Sequence, residues 1–287
     1  HGSIGAAARE AGVSQQAASE RLRGIEAQMG LTLVQRGPRG SELTASGVVV
    51  TEWAARLIDL TDEIETAIDG LRGERSRELS VWASMTIADS LMPRWLVQLR
   101  QRQVQHAVTP TAVSLTAGNS QQVEDAVTDG AAHLGFVEGV AAPRHVRSTT
   151  VAEDELVLVV PAGDRLARRR KPLTPEEVAG LALTSREPGS GTREVVERAL
   201  GVHGLSTHTS VVELTTTTAV REAVLAGSAP AFLSSRVVTR DLDAGHLVAV
   251  PTELDLRRKF RAIWVGSAQP PAGPARDLVA IAGRSRT

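Results

Sequence analysis

The sequence of 287 residues contains no cysteine and no tyrosine, and only three phenylalanines and four tryptophans. Without cysteine, disulfide bonds, thiol nucleophiles and thiolate metal sites are excluded. The scarcity of aromatic residues makes a large aromatic ligand less expected than a small anion or carboxylate.

Long apolar runs are also absent. No stretch approaches the roughly 20 apolar residues that a helix needs to cross a bilayer, and no secretory signal pattern opens the chain. We therefore expect a cytoplasmic protein with no membrane partner. The net charge is −1, so a general basic excess does not indicate a nucleic-acid binder.

The N-terminal stretch nevertheless has the pattern of two short helices, a tight turn and a small wing. Ser3 and Ser14 are suited to cap the helices, because a serine hydroxyl accepts a bond from an unpaired amide of the first turn. Gly12 supplies the turn between them. Three apolar residues repeat at helical spacing and are expected to face the core: Leu22, Ile25 and Met29. This layout places the second helix in the DNA major groove.

The same stretch resembles the N-terminal domain of LysR-type transcriptional regulators. The matching residues are Gly2-Ser3-Ile4, Ala7-Ala8, Ser14-Gln15, Ala17, Ser19, Ile25-Glu26, Met29-Gly30, Leu33 to Arg36 and Leu43 to Gly47. The resemblance implies double-stranded DNA as a partner. It also implies one more helix before Gly2, which we expect to be missing from a chain that begins at His1.

Seven residues are the candidates for DNA contact: Ser14, Gln15, Gln16, Ser19, Arg23, Arg36 and Arg39. Glutamine bonds bidentately to adenine and arginine to guanine, whereas the serines suit phosphates. Arg39, at the wing tip, is suited to a minor groove or a phosphate. Taken alone, these residues also fit the solvated face of a helix and an exposed hairpin, and the surrounding family pattern favours DNA.

A long amphipathic helix is predicted to follow, capped by Thr44. Apolar residues alternate at spacings of three and four, which is typical of a coiled coil: Val50, Trp53, Leu57, Leu60, Ile64, Ala67 and Leu71. In the resembling family this helix dimerises, which implies a homodimer or homotetramer. We expect a winged helix-turn-helix domain at 1–43 and the linker helix at 44–73.

From residue 79 onwards strands and helices alternate, which predicts an α/β domain of parallel sheets with crossover helices. One helix is expected at 87–103, and separate strands at 146–151 and 156–160. The segment resembles the family's two-lobed α/β effector domain, built like a periplasmic binding protein. We expect lobe I at about 79–161 and 266–287, and lobe II at about 162–265. Ligands of such folds lie between the lobes.

Loops at strand ends supply the candidate effector-binding residues: Ser84, Thr86, Gly118, Asn119, Ser120, Glu138, Ser190, Gly191, Thr192, Arg193 and Thr216. The strongest pattern, Arg186 to Arg193, joins a strand to a helix and matches a segment of one branch of these regulators. Its glycines let backbone amides approach an anion, and Arg186 and Arg193 add charge. It lacks the ending of a phosphate-binding P-loop and the spacing of a nucleophile elbow. Several of these hydroxyls also suit simple helix caps.

No histidine spacing indicates a metal site, and no motif indicates a catalytic residue or a cofactor. His133 and Pro230 depart from the family pattern, so the effector need not be that of better-known relatives. The sequence predicts a sequence-specific DNA-binding transcriptional regulator, not an enzyme, that is modulated by a small anionic effector. The alternatives are a solute-binding protein and an enzyme that uses the Ser190 loop.

Overall fold

The structure, a computed structural model, describes residues 3–10, 12–37, 40–57, 78–207 and 210–284. The chain divides into two compact units, 1–72 and 73–287. Several predicted positions lie outside the described residues: Arg39 of the wing and Leu60, Ile64, Ala67 and Leu71 of the heptad pattern.

The first unit contains α1 (Ile4–Glu10), α2 (Gln15–Met29), the antiparallel hairpin of β1 (Val34–Gly37) and β2 (Gly40–Leu43), and a helix α3 whose described part is 45–57. Both predicted serine caps are present. The Ser3 hydroxyl accepts from the amide of Ala6, and the Ser14 hydroxyl from that of Ala17, each at 3.1 Å. Both helices of the helix-turn-helix therefore begin at the serines that the sequence predicts.

Two motif residues hold the wing to the helices. A carboxylate oxygen of Glu26 in α2 accepts from the amides of Leu33 at 2.7 Å and Val34 at 3.2 Å. At the start of α3, the Thr44 hydroxyl accepts from the amide of Gly47 at 2.9 Å and donates to the carbonyl of Thr32 at 2.6 Å. Glu26 and Thr44 therefore close the domain by joining the helices to the wing.

The predicted core face of α2 is wrong in part. Leu22 is half-buried, but Ile25 is 44% and Met29 51% exposed, and no described residue of α2 is fully buried. Among the described residues of this unit, Ala8 and Leu33 are the buried apolar ones.

The second unit alternates strands and helices in the order β3 (Glu78–Ser84), α4 (Met85–Ser90), α5 (Met92–Gln105), β4 (Ala112–Gly118), α6 (Ser120–Thr128), β5 (Leu134–Gly139), β6 (Arg147–Pro161), a 3-10 helix (Arg165–Arg168), α7 (Pro175–Ala179), β7 (Thr184–Arg186), α8 (Gly191–Gly201), β8 (Val212–Leu214), α9 (Thr217–Leu225), β9 (Ala231–Ser234), α10 (Ser235–Asp243), β10 (Leu247–Val250), β11 (Arg257–Trp264) and α11 (Pro274–Arg284).

The main sheet is mixed, and the expectation of parallel sheets was wrong for four of its six strand pairings. The strand order is β10-β6-β11-β5-β3-β4, and β9 also pairs with β6. β3 is parallel to β4 and β5, but β11 is antiparallel to β5 and β6, and β9 and β10 are antiparallel to β6. β6 runs from the first lobe of the unit into the second, and β11 runs back into the first lobe. The two strands are therefore antiparallel.

Two predicted elements have different bounds. The single helix expected at 87–103 is divided into α4 and α5 at Leu91, with Pro93 in the first turn of α5, because proline lacks the amide and clashes with the preceding turn. The strands expected at 146–151 and 156–160 are one strand of 15 residues. Asp154, in the polar middle of this strand, is buried and paired with Arg258.

The two lobes share β6, as the packing of alternate side chains shows. Val151 and Ala152 lie in the first-lobe core with Trp95, Phe136 and Phe260. Further along β6, even-numbered residues face the α7–α8 side of the second lobe and odd-numbered ones the α9–α10 side: Leu156, Leu158 and Val160, and then Val157 and Val159. The second half of β6 therefore packs in the cores of the second lobe, and Phe260 and Ala262 of β11 pack in the core of the first.

Among the described residues, no helix is long and apolar enough to cross a membrane. The same residues hold no group of three or more histidine, aspartate or glutamate side chains that is arranged to bind a metal ion.

Candidate functional site

Three strand-to-helix connections of the second unit meet between its lobes. Ser84 at the end of β3 pairs in register with Gly118 at the end of β4, and Asn119 caps α6 immediately afterwards. From the second lobe, the loop before α8 reaches the same place, because the Asn119 amide nitrogen lies 3.2 Å from Glu187 Oε1. The tertiary structure therefore brings together three loops that are separated along the chain.

Gly191, the first residue of α8, packs directly on the end of β5. A Cβ placed on Gly191 would overlap the carbonyl oxygen of Glu138 and would lie 2.7 Å from Glu138 Cγ and 2.9 Å from Ser120 Oγ. Any side chain at this position would push the lobes apart, so glycine is required for the close approach. Ser120 fastens the same corner, since its hydroxyl donates to the Glu138 carbonyl at 3.1 Å and accepts from the Glu138 amide at 3.3 Å.

A buried guanidinium that the sequence analysis did not select lies at the centre of this site. Arg258 of β11 has a fully buried side chain. Its Nε donates to Asp154 Oδ2 at 2.7 Å, and its Nη1 lies 3.0 Å from both Glu138 Oε1 and Thr192 Oγ1. Its Nη2 donates to Thr86 Oγ1 at 3.3 Å. Arg258 therefore connects hydroxyls and carboxylates of both lobes.

The period of the strands could have revealed this network. Arg258 shares a face of β11 with Phe260 and Ala262, and Asp154 shares a face of β6 with Leu156, since alternate residues of a strand point the same way. A charge on an apolar face must be paired, because an isolated buried charge is very costly. The burial of Arg258 and Asp154 could therefore have been predicted from the sequence, but their hydrogen-bonding partners could not.

Three buried side-chain oxygens at this site have no hydrogen-bond partner among the described residues: Ser84 Oγ, Glu138 Oε2 and Ser190 Oγ. Ser190 is the N-cap of α8, yet its side chain makes no capping bond. The first amides of α8 are therefore not satisfied by their own cap, as they are in α6, where Asn119 and Gln122 form a reciprocal capping box. Unpaired buried polar groups are rare and costly.

Other candidate residues are occupied by structural contacts. Arg193 is turned outward, where it pairs with Glu197 at 2.7 Å and Glu213 at 2.8 Å. Thr216 caps α9 by accepting from the amide of Ala219 at 3.1 Å. Nearby glutamates therefore already pair with the positive charge of Arg193.

Arg186 is also neutralised locally. Its side chain is buried and donates to both carboxylate oxygens of Glu187, at 2.7 and 2.8 Å, and to Thr217 Oγ1 at 3.1 Å. Burial acts to raise the pKa of Glu187, but the hydrogen bonds and charge of Arg186 outweigh it and hold that pKa below its usual value. The loop therefore contributes a neutral ion pair to the site.

A cavity of about 530 Å³ lies at the hinge strands and is lined in part by the Arg258–Asp154 pair. Its lining mixes four basic with four acidic side chains: Arg236, Arg257, Arg258 and Lys259, and Glu153, Asp154, Glu155 and Asp255. Because these charges balance, the cavity shows no preference for an anion.

In the first unit, the predicted DNA-reading residues lie in the first half of α2. Gln15, Gln16 and Arg23 are exposed, and Ser19 is half-buried. The Gln16 amide nitrogen lies 3.5 Å from Glu20 Oε1, and Arg23 Nε donates to the Ser19 carbonyl at 3.3 Å. These polar groups lie on the exposed side of α2, and Arg36 lies in β1 of the wing.

Comparison with known families covers almost the whole chain. Residues 1–48 match the model of the bacterial regulatory helix-turn-helix protein, lysR family, and residues 72–284 match the LysR substrate binding domain. The chain belongs to the LysR family. It is therefore a DNA-binding transcriptional regulator, and the family confirms the fold and the function predicted from the N-terminal motifs.

Relatives agree over the full length of this LysR-family regulator. It is 46% identical to the uncharacterized HTH-type transcriptional regulator Rv2282c of Mycobacterium tuberculosis, over 99% of this chain and 93% of that protein. Among solved structures it is similar to the Synechocystis CcmR regulatory domain in complex with 2-PG, with a TM-score of 0.61 and 18% identity over 73% of this chain and 99% of that one.

Full-length CbnR in complex with its target DNA is also similar, with a TM-score of 0.54 and 22% identity over 99% of this chain and 94% of that one. At such identities the structural likeness shows the fold alone. The family consists of regulators, which is why neither the enzyme nor the solute-transport alternative is retained.

Proposed function

We propose that this LysR-family regulator reads DNA with α2 and the wing of a homodimer or homotetramer, and that a small anion bound between its lobes controls it. Within this proposal, 1–43 is the DNA-binding domain, 44–73 is the dimerising linker, and the regulator acts in the cytoplasm, where its DNA lies. Binding of 2-PG by the similar CcmR domain supports a small acidic effector.

The observation that carries the effector site is the uncapped N-terminus of α8 beside two unpartnered buried hydroxyls, Ser84 Oγ and Ser190 Oγ. Free amides and the helix dipole favour an anion at this position. The anion would be held by amides and hydroxyls, because Arg193 and Arg186 are already paired with glutamates. The proposed ligand-binding residues are Ser84, Thr86, Gly118, Asn119, Ser120, Glu138, Ser190, Gly191 and Thr192.

Control of DNA binding follows from the position of this site. Thr86 and Glu138 belong to the first lobe and Thr192 to the second, and all three contact Arg258. A ligand that bonds to both sides prefers the closed arrangement of the lobes, and a ligand shifts an equilibrium only by this difference in affinity.

Two substitutions in the α8 N-terminus test the site. Screening small oxyanions and short carboxylates by thermal shift should first find a stabilising ligand, because a bound ligand raises the melting temperature. Ser190→Ala should leave the unliganded melting temperature nearly unchanged, since the hydroxyl has no partner, and should weaken binding at least about tenfold, the effect of one charge-assisted hydrogen bond.

Gly191→Ala should abolish the ligand-induced shift, because its Cβ would overlap the Glu138 carbonyl. The matched control is Gly201→Ala at the other end of α8, where a Cβ meets nothing within 4 Å, and there the shift should persist. Unchanged ligand affinity in both Ser190→Ala and Gly191→Ala would contradict the proposed site.

A further inference from the structure

Glu138 is a carboxylate in a site proposed to bind an anion, and it restricts which anion can enter. Its side chain is 2% exposed at the end of β5. One oxygen, Oε1, accepts from Arg258 Nη1 at 3.0 Å and from Thr192 Oγ1 at 3.3 Å. The other, Oε2, has no partner among the described residues.

The Glu138 side chain lies beside the start of α8. Glu138 Cγ would be 2.7 Å from a Cβ on Gly191, the first residue of the helix, and Thr192, the second, donates to the same carboxylate. Ser190, with its unpartnered hydroxyl, precedes them. A bound group at this helix N-terminus therefore meets amide and hydroxyl donors on one side and a carboxylate acceptor on the other.

Among the described residues, the basic side chains near Glu138 leave no unpaired positive charge to offset the carboxylate that faces a bound anion. Glu138 and Asp154 both pair with Arg258, and Asp154 also lies 3.7 Å from Arg236 Nε, so two guanidinium groups balance two carboxylates. Arg186 is neutralised by Glu187. A fully deprotonated anion would bring one of its oxygens against Glu138 Oε2 with no hydrogen between them, and two like charges in a buried site repel strongly. An anion that carries a proton donor removes the repulsion and satisfies the unpaired oxygen.

We propose that the site selects small anions that carry their own hydroxyl donor. The hydroxyl donates to Glu138 Oε2, and the anionic oxygens accept from the α8 amides and the Ser84 and Ser190 hydroxyls. Hydrogen oxyanions and 2-hydroxy carboxylates share this chemistry. The inference rests on the proposed anion site and adds a rule of selection to it.

Matched pairs of probes test the rule in the full-length wild-type protein. Inorganic phosphate carries protons at pH 7 and sulfate carries none, although the two are similar in size. Glycolate and propionate form a second pair, which differs by a hydroxyl in place of a methyl group. Titration calorimetry should show binding by phosphate, glycolate or both, with at least tenfold weaker binding by the donor-free partner of each binder.

The outcomes separate the two proposals. If none of the four probes binds, the anion site itself is wrong. If sulfate or propionate binds as tightly as its partner, the anion site stands and the selection by Glu138 is wrong.

Glu138→Gln provides the decisive variant. Arg258 Nη1 and the Thr192 hydroxyl both donate toward Oε1, so the glutamine carbonyl should take that position and place its NH2 group where Oε2 was. The acceptor becomes a donor, and the variant should bind sulfate more tightly and phosphate less tightly, which reverses the preference of the wild type. An unaltered ratio of phosphate to sulfate affinity would overturn the inference.

Glu197→Gln on the exposed side of α8 is the matched control, since it removes the same charge from the same region without touching Glu138. Its phosphate-to-sulfate ratio should equal that of the wild type. If Glu138→Gln does not fold, as judged by its melting transition, the wild-type pairs alone decide.

Discussion

Individual glycines of this regulator mark places where two backbones meet. Gly47 at the start of α3 lies against the carbonyl of Leu33, and Gly191 at the start of α8 lies against the carbonyl of Glu138. Gly135 differs from these two, because side chains crowd it: an added Cβ would lie 2.8 Å from Ile263 and Val127 side-chain carbons. At Gly47 and Gly191, two glycines of the family motifs, the neighbouring carbonyl group leaves no room for a side chain.

Gly47→Ala should destabilise the DNA-binding unit. The new methyl group would overlap the Leu33 carbonyl and lie 3.2 Å from Leu43 Cδ2, and overpacking of this kind costs about 1–3 kcal/mol. Hydrogen exchange of the amides of α1 and α2 in the intact protein should accelerate accordingly.

Gly24→Ala, in the middle of α2, is the control for that substitution. It has open space around the added Cβ, and replacing a mid-helix glycine by alanine stabilises a helix by about 0.5–1 kcal/mol. Slower exchange in Gly47→Ala, or faster exchange in Gly24→Ala, would show that the close approach at Leu33 does not hold the unit together.

At the scale of elements, ion pairs join helices that the sheet alone does not fix. Arg221 of α9 donates to both carboxylate oxygens of Asp241 in α10, each at 2.6 Å. These hydrogen bonds outweigh the effect of burial and lower the pKa of Asp241. The pair spans the outer side of the second lobe, whose apolar residues Val220, Val224 and Val238 pack beneath it.

The pairing of Arg221 with Asp241 should make the second lobe sensitive to acid. Because the folded pKa lies below the unfolded value of about 3.9, the stabilisation is complete above that value and is lost as the pH falls through the lower folded pKa. Asp241→Asn should cost on the order of 1–3 kcal/mol at pH 7, as for a hydrogen bond to a charged group, and the difference from wild type should vanish in strong acid.

Urea unfolding between pH 7 and pH 2 measures this dependence. Asp243→Asn, at an exposed position of the same helix, is the control and should follow the wild-type curve. A constant difference between Asp241→Asn and wild type at all pH values would exclude ionisation of Asp241 as its source.

At the scale of the whole molecule, the regulator combines two units that the structure describes separately. The first presents polar residues of α2 beside a wing, and the second presents the network of Arg258 between two lobes. The exposed Trp53 of α3 lies on the predicted heptad seam, which supports pairing of two copies. A dimer would set two reading helices on one pseudo-palindromic site.

DNA binding by the assembled protein tests that arrangement. Gln15→Ala should reduce specific affinity about tenfold or more, since a good bidentate base contact is worth about 1–3 kcal/mol. Arg23→Glu should abolish footprints on DNA selected by the full-length protein. Gln28→Ala, the same change in the last turn of α2, should have no effect, and sedimentation should show the same oligomer for all variants. Intact footprints in Gln15→Ala and Arg23→Glu would exclude α2 as the reading helix.

The sequence by itself determined the local structure and the family. Serine caps, the Gly12 turn and the Leu43–Gly47 motif depend on residues close in the chain, and the structure has the caps and turn where they were predicted. Most strands and helices of the second unit were also predicted, because alternating apolar runs depend only on near neighbours.

Only the tertiary structure decided which strands pair, where the lobes divide and which charges are free. The antiparallel course of β11, the passage of β6 through both cores and the pairing of Arg193 with Glu213 all join residues far apart in the chain. Arg258 shows the physical reason. Its four hydrogen-bonding partners come from segments spread between Thr86 and Thr192, and no local pattern specifies which of them a buried guanidinium will meet.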